Sequence, residues 1–181
     1  MQHNDGMRRG LDAWVDAVRS RIGEVPGAPG PRDIETLLTR LTEVAWLRGC
    51  PAADTSGADS TSRGYRRRLL ASSARAGYSA LLVGWPPGHQ TPLHDHDGLW
   101  GVEVVLDGAI AIEEFTRVGT AGFPALEHRR TLILGIGDAT SFSGGDYVHS
   151  CRNLSAQREA LTLHVYGGVL EAYSTYRTGL H

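Results

Sequence analysis

Cysteine is scarce: Cys50 and Cys151 are the only two in 181 residues. That excludes a disulfide scaffold and fits a reducing compartment. No apolar run approaches the roughly 20 residues that cross a bilayer. Met1 to Gly10 holds no apolar core of a signal peptide. Positive charge is not in excess either. The formal net charge is −2, which leaves no basic field for nucleic acid and no polybasic surface for a membrane. No internal repeat and no separate DNA-binding segment is visible. The expectation is a cytoplasmic protein that handles small molecules.

What is present is ordinary in bulk and uneven in detail. Hydrophobic residues make up 41% and charged residues 21%, enough for one domain with a full core. Glycine is abundant, with 23 residues, as a many-turned β fold requires. Residues 5 to 23 predict a helix, with Leu11, Trp14, Val15, Val18 and Ile22 on one face, Asp5 as N-cap and Gly23 as stop. Val25 to Pro31 is a linker. Pro31 to Leu47 predicts a second helix with its own apolar stripe. Ala52 to Ser62 reads as a mobile loop.

From Tyr65 onward the pattern becomes β. Strands are predicted at Tyr65 to Ala71, Tyr78 to Trp85, Leu93 to His96, Gly101 to Leu106 and Ile110 to Phe115. Further strands are predicted at Arg130 to Leu134, Ala139 to Phe142, Tyr147 to Asn153 and Leu161 to Tyr166. Asp107-Gly108 signals a hairpin, and Gly119 to Glu127 a connecting loop. Short strands closed by glycine turns argue for a barrel or jelly roll. Residues 1–62 are then helices and linker packed on a barrel of residues 63–181.

His94 and His96 stand two apart. On a strand such a pair faces one way, and imidazoles suit Fe, Zn, Cu or Ni. Gly88 lies six before His94 and Gly108 twelve after His96; His149 and Asn153 follow downstream. This frame resembles the first cupin motif, G-x5-H-x-H-x4-(slot)-x6-G, and Gly137-Asp138, Gly145, His149 and Asn153 resemble the second. In most cupins the slot holds a glutamate ligand; here it is Gly101. Three histidines without that glutamate resemble the thiol dioxygenases, the cysteine dioxygenase family. Trp85-Pro-Pro-Gly-His89 resembles that family's W-x-x-G-H. Thr162-Leu-His164-Val-Tyr166 resembles its Ser-x-His-x-Tyr triad, and Tyr65-Arg66-Arg67 its Tyr-x-Arg.

The resemblance, over roughly residues 61 to 168, implies a mainly β cupin barrel with N-terminal α-helices. It implies one non-haem Fe(II) on His94, His96 and His149. The reaction implied is addition of dioxygen to a small carboxylated thiol such as L-cysteine, giving a sulfinic acid. Arg67, with Tyr65, would bind the carboxylate, and Tyr166, His164 and Thr162 would form the catalytic relay. The tyrosine–cysteine cross-link of the animal enzymes cannot form with glycine at position 101, and the family's bacterial members lack it too.

Physical chemistry supports the thiol. Three neutral imidazoles leave a divalent ion its full charge, so an anionic, soft thiolate gains more there than beside a carboxylate. Arg67 has two readings, a bidentate partner for carboxylate or a solvated basic edge shared with Arg66 and Arg68. Relatives that oxidise 3-mercaptopropionate place their arginine where this chain has Thr175, with Arg177 out of register. Glu103 lies two beyond the slot and shares its face. It either reaches the metal through a bulge or pairs with an arginine deeper in the barrel. A ligating Glu103 would favour a cupin metalloenzyme of another substrate, and a silent relay a non-catalytic metal- or ligand-binding cupin. Cys151 reads as a buried apolar residue, Asp95 and Asn153 as hydrogen-bonding anchors. His3, His89, His128 and His181 read as surface or loop residues, with His89 a candidate for the pocket mouth.

Overall fold

A computed structural model describes residues 2–23, 25, 29–52, 65–120 and 123–177. The expected loop after Ala52, and much of the linker after Val25, lie outside these residues. Helix α1 spans Gln2–Ile22, so Asp5 sits inside it rather than capping it. Helix α2 spans Pro31–Thr42, with Pro31 in its first turn. The Asp33 carboxylate accepts a 2.9 Å bond from the Gly30 N–H. The second helix was expected to reach Leu47 without a break. Instead Glu43–Trp46 tightens into a 3-10 turn, and Trp14 Nε1 donates to the Val44 carbonyl at 2.9 Å. That bond ties the turn to α1.

Ten strands follow: β1 Arg66–Ser73, β2 Tyr78–Trp85, β3 Leu93–His94, β4 Gly101–Asp107, β5 Ile110–Thr120, β6 Phe123–Leu134, β7 Ala139–Phe142, β8 Tyr147–Asn153, β9 Ala160–Tyr166 and β10 Thr175–Tyr176. They form two five-stranded sheets, ordered β1-β2-β9-β4-β7 and β10-β3-β8-β5-β6. Every pairing given is antiparallel. Two mainly antiparallel sheets face to face make the cupin jelly roll expected from the sequence.

Three expectations fail here. The strand expected over Leu93 to His96 stops at His94, so His96 lies past its end. Asp107-Gly108 is not a hairpin, because β4 and β5 belong to different sheets. The chain crosses between sheets at that point. Gly108 is required there by its φ of 79° and by Ala160, whose Cβ would lie 2.7 Å from an added Cβ. Nor are the described residues of Gly119 to Glu127 a loop; residues 121–122 lie outside the described residues. β5 and β6 pair from Ile110↔Leu134 to Thr120↔Phe123. β6 is the edge strand of its sheet. Strand β10 gave too short a signal to be expected.

Alternation along β4 and β9 sorts their side chains into two environments. Val102, Val104, Leu106, Leu161, Leu163 and Val165 share one core cluster with Trp14, Val18, Leu37 and Leu41 of the helices. Each such fully buried aliphatic contributes roughly 1.5–3 kcal/mol. The intervening residues Glu103, Val105, Thr162, His164 and Tyr166 take the opposite face, the one turned to the second sheet. The helices thus seal one side of the first sheet, and the other side carries the polar groups described next.

Candidate metal centre

His94 pairs directly with His149 across β3 and β8. Ring centroids lie 5.1 Å apart for His94–His96, 4.6 Å for His94–His149 and 4.7 Å for His96–His149. One nitrogen from each lies within 4.8 Å of the others, close enough for all three to grip one ion. His96 and His149 are buried, and His94 half-buried at the mouth.

Two hydrogen bonds fix which nitrogens face inward. His94 Nδ1 lies 2.9 Å from the Pro92 carbonyl. A carbonyl only accepts, so Nδ1 carries the hydrogen and Nε2 keeps its lone pair. Tyr147 donates its hydroxyl hydrogen to Glu114 Oε1 at 3.2 Å, so Tyr147 Oη accepts from His149 Nδ1 at 3.2 Å. His149 Nε2 is thereby left bare. Glu114 in turn accepts from Arg130 Nε at 2.5 Å. Outer partners of this kind orient ligating histidines. For His96, neither ring nitrogen has a hydrogen-bond partner although the residue is 2% exposed. A buried imidazole left so is costly unless an ion supplies the missing contact. The residues therefore fit a metal.

Burial pulls the pKa of His94 down, takes His96 to about 3 and puts His149 well below its usual value. All three are neutral at neutral pH. Without metal, the unfolded chain takes up protons near the usual histidine value of 6.5, which these buried rings refuse. Stability is therefore present above pH 6.5 and lost as pH falls towards 3. Thermal melts of metal-free protein across that window check this; replacing His96 by leucine should flatten part of the decline.

The glutamate slot is filled by an aromatic ring. A Cβ on Gly101 would lie 2.3 Å from Phe142 Cζ. Phe142 stacks on His96 at 4.3 Å and on Tyr147 at 4.6 Å. Glycine at 101 is thus a consequence of packing: the space a carboxylate would need belongs to Phe142.

Glu103 is buried at 4% exposure. Among the described residues no arginine meets it. Its Oε1 lies 3.2 Å from His164 Nδ1 and 3.9 Å from His149 Nε2. The expectation of an arginine partner is corrected by the register, which sets Glu103 opposite His164. Burial raises its pKa, but the neighbouring His164 ring, with His149 behind, holds it well below the usual carboxylate range. Glu103 also groups with His149 and Cys151, so His149 is shared with the set of three histidines. The Cys151 thiol is 4.0 Å from Glu103 Oε2. Burial, then Glu103 and Glu114, push its pKa well up, so it stays a neutral thiol.

Behind the histidines runs a polar chain. Trp85 Nε1 donates to Thr162 Oγ1 at 2.8 Å, Thr162 Oγ1 is 2.8 Å from His164 Nε2, and His164 Nδ1 is 2.8 Å from Tyr166 Oη. The Tyr166 ring stacks over His96 at 5.4 Å. Burial and then Glu103 raise the Tyr166 pKa well above its usual value, against the pull of Arg67. Burial likewise lifts Tyr65 to about 12, again with Arg67 pulling down. Arg67 is exposed at the start of β1, and its charge reaches both hydroxyls. Arg66 faces elsewhere, held by Glu159 at 2.6 Å. His89 is less peripheral than expected: it is half-buried and stacks on Tyr65 at 4.9 Å.

Asp95 and Asn153 do the anchoring foreseen for them. Asp95 accepts from Tyr176 Oη at 2.6 Å and from the Ser174 N–H at 2.9 Å, strapping β10 across the ligand pair. Asn153 Nδ2 donates to the Trp85, Pro86 and Arg158 carbonyls at 2.8–3.1 Å. Sequence reasoning missed Tyr147, Glu114, Phe142 and the donor role of Trp85. Only Tyr147 had a signal, since it stands two before His149 on one strand face.

A double-sheet barrel with three convergent histidines defines a metal-binding cupin. The model of the family described as Cysteine dioxygenase type I matches residues 58–178, and the chain belongs to that family. An oxalate oxidase solved with the substrate analogue glycolate is similar at 17% identity and TM-score 0.50, covering 67% of this chain and 60% of that one. The cupin domain of Schizosaccharomyces pombe Cnp3 has 14% identity and TM-score 0.45, over 58% of this chain and 61% of that one. A hydroquinone 1,2-dioxygenase has 14% identity and TM-score 0.47, over 59% of this chain and 66% of that one. This chain therefore spans about 60–66% of the length of these structures. The likeness to the oxalate oxidase shows the fold alone.

Proposed function

We propose that this protein is a non-haem Fe(II) thiol dioxygenase that converts a small carboxylated thiol, L-cysteine or a near analogue, to its sulfinic acid. The overall change is R–SH + O2 → R–SO2H, in which both oxygen atoms end on sulfur. The observation that carries the reading is the slot at Gly101, filled by Phe142, beside three neutral histidines. Such a centre holds no carboxylate in the usual place, so a thiolate brings the negative charge.

His94, His96 and His149 would hold the iron, which supplies binding positions for thiolate and dioxygen. The chain's own residues do the rest. Arg67 pairs with the substrate carboxylate at the mouth, helped by the Tyr65 hydroxyl. Tyr166, with its pKa raised, keeps its proton and offers it to the reacting face. His164 and Thr162 hold that hydroxyl in place. Trp85 and His89, with Tyr65, wall the entrance with rings and limit water.

The test is oxygen uptake and product mass with Fe(II)-loaded protein and either L-cysteine or 3-mercaptopropionate. Gain of two oxygen atoms by a thiol supports the reading; no such product from any small carboxylated thiol overturns it. Arg67→Ala should lower kcat/KM for the accepted thiol by about 10–100-fold, mostly through KM, as loss of a charged hydrogen bond implies. The same variant should leave an uncarboxylated aminothiol unaffected. Equal loss for both would remove Arg67 from the carboxylate role and favour a site near Arg177. A 3-mercaptopropionate preference is disfavoured by Thr175, which stands opposite His94.

A further inference from the structure

We propose that Glu103 is a positioning residue that fixes which ring nitrogen of His164 carries its hydrogen, and so aims the Tyr166 hydroxyl proton into the pocket. The consequence for turnover rests on the function proposed above; the tautomer itself does not.

The geometry constrains the relay from both ends. At one end stands Trp85, whose indole N–H can only donate. It occupies a lone pair of Thr162 Oγ1 at 2.8 Å. The hydrogen of Thr162 is then free to point at His164 Nε2, 2.8 Å away. At the other end stands Glu103, buried on β4 directly across from His164 on β9. Its Oε1 lies 3.2 Å from His164 Nδ1 and has no hydrogen-bond partner of good geometry. An ionised carboxylate only accepts, so it favours a hydrogen on Nδ1. Both ends thus select the same form: Nε2 accepting, Nδ1 donating. Tyr166 Oη, 2.8 Å from Nδ1, accepts from the ring, and its own hydrogen is released towards the histidine centre.

Remove the carboxylate and the opposite orientation becomes open. Tyr166 would donate to Nδ1, and Nε2 would donate to Thr162. The phenolic hydrogen would then be spent inside the wall. A carboxylate that orients an imidazole through its nearer nitrogen is a general device for holding a tautomer. Glu103 is placed for this. It is nearer His164 than His149, at 3.2 Å against 3.9 Å, and does not group with His94 and His96.

Ring-nitrogen NMR on 15N-histidine protein, metal-free and zinc-loaded, reads the tautomer directly. The expected wild-type spectrum shows His164 protonated at Nδ1. In Glu103→Leu it should move to Nε2, with metal content unchanged. In the Fe(II) enzyme the same variant should lose about 10–100-fold in kcat with KM little altered. Glu103→Gln keeps an oxygen acceptor, so it should retain the Nδ1 form and most of the activity lost in the leucine variant. It also carries the test if leucine prevents folding. A wild-type ring protonated at Nε2, or an unchanged tautomer in folded Glu103→Leu, overturns the proposal. Loss of metal from that variant does so too, by making Glu103 a ligand. A protein that shows the tautomer switch but oxidises no thiol would refute the proposed function and leave this inference standing.

Discussion

Gly101→Glu, which restores the side chain most cupins carry in this slot, is expected to destabilise the protein by about 3 kcal/mol or more. The slot is not vacant. An added Cβ alone would lie 2.3 Å from Phe142 Cζ, with the two flanking ring carbons at 2.8 and 2.9 Å. Inserting atoms into a packed core costs typically 1–3 kcal/mol, occasionally more, and here the obstacle is a ring clamped by stacking on His96 and Tyr147. Denaturant melts of metal-free protein give the number. Adding Phe142→Ala should recover part of the loss, because the new carboxylate takes the room the ring leaves. That double variant should bind a divalent ion more tightly and oxidise thiol more slowly, since the negative charge is now built in. If Gly101→Glu alone melts like wild type, Phe142 does not own the slot and the explanation for glycine is wrong.

His96→Leu should do the reverse: abolish metal binding while leaving the metal-free protein at least as stable. In the folded chain both nitrogens of His96 are buried without partners. A polar group left so costs roughly 1–3 kcal/mol, and leucine has a similar volume and no polar atom. The metal-free variant is therefore expected to gain about 1–3 kcal/mol. Its thiol oxidation should fall on the order of 1,000-fold, because the ion's contribution of several kcal/mol is lost at a tenfold change per 1.36 kcal/mol. Metal analysis, a melt and an oxygen-uptake assay check all three. A variant that keeps its metal, or that melts several kcal/mol below wild type, would mean that His96 is held by something other than an ion.

These two positions also show what a sequence discloses. His94, His96 and His149 were legible because a motif frame acts over short range, although the strand argument for the pair fails where β3 ends at His94. The relay Thr162, His164, Tyr166 was legible because one strand face carries all three. Gly101 could be read only as a missing glutamate. Its partner Phe142 lies on β7, and only the pairing of β4 with β7 brings the ring over it. Glu103 and Glu114 were obscure on like grounds, since cross-strand register decides that they meet His164 and His149. Turn chemistry misled at Asp107-Gly108, where a strong hairpin signal serves a crossing between sheets. A glycine answers a local φ and says nothing of which strand comes next.

X-ray absorption at the iron edge, on Fe(II)-loaded protein kept free of oxygen, tests the central claim most directly. Without thiol, the iron should show only nitrogen and oxygen neighbours. On adding the accepted thiol, one sulfur should come to bonding distance. Sulfur present from the start would make Cys151 a ligand, and sulfur absent throughout would mean that the ion and the thiol never meet; either result contradicts the account.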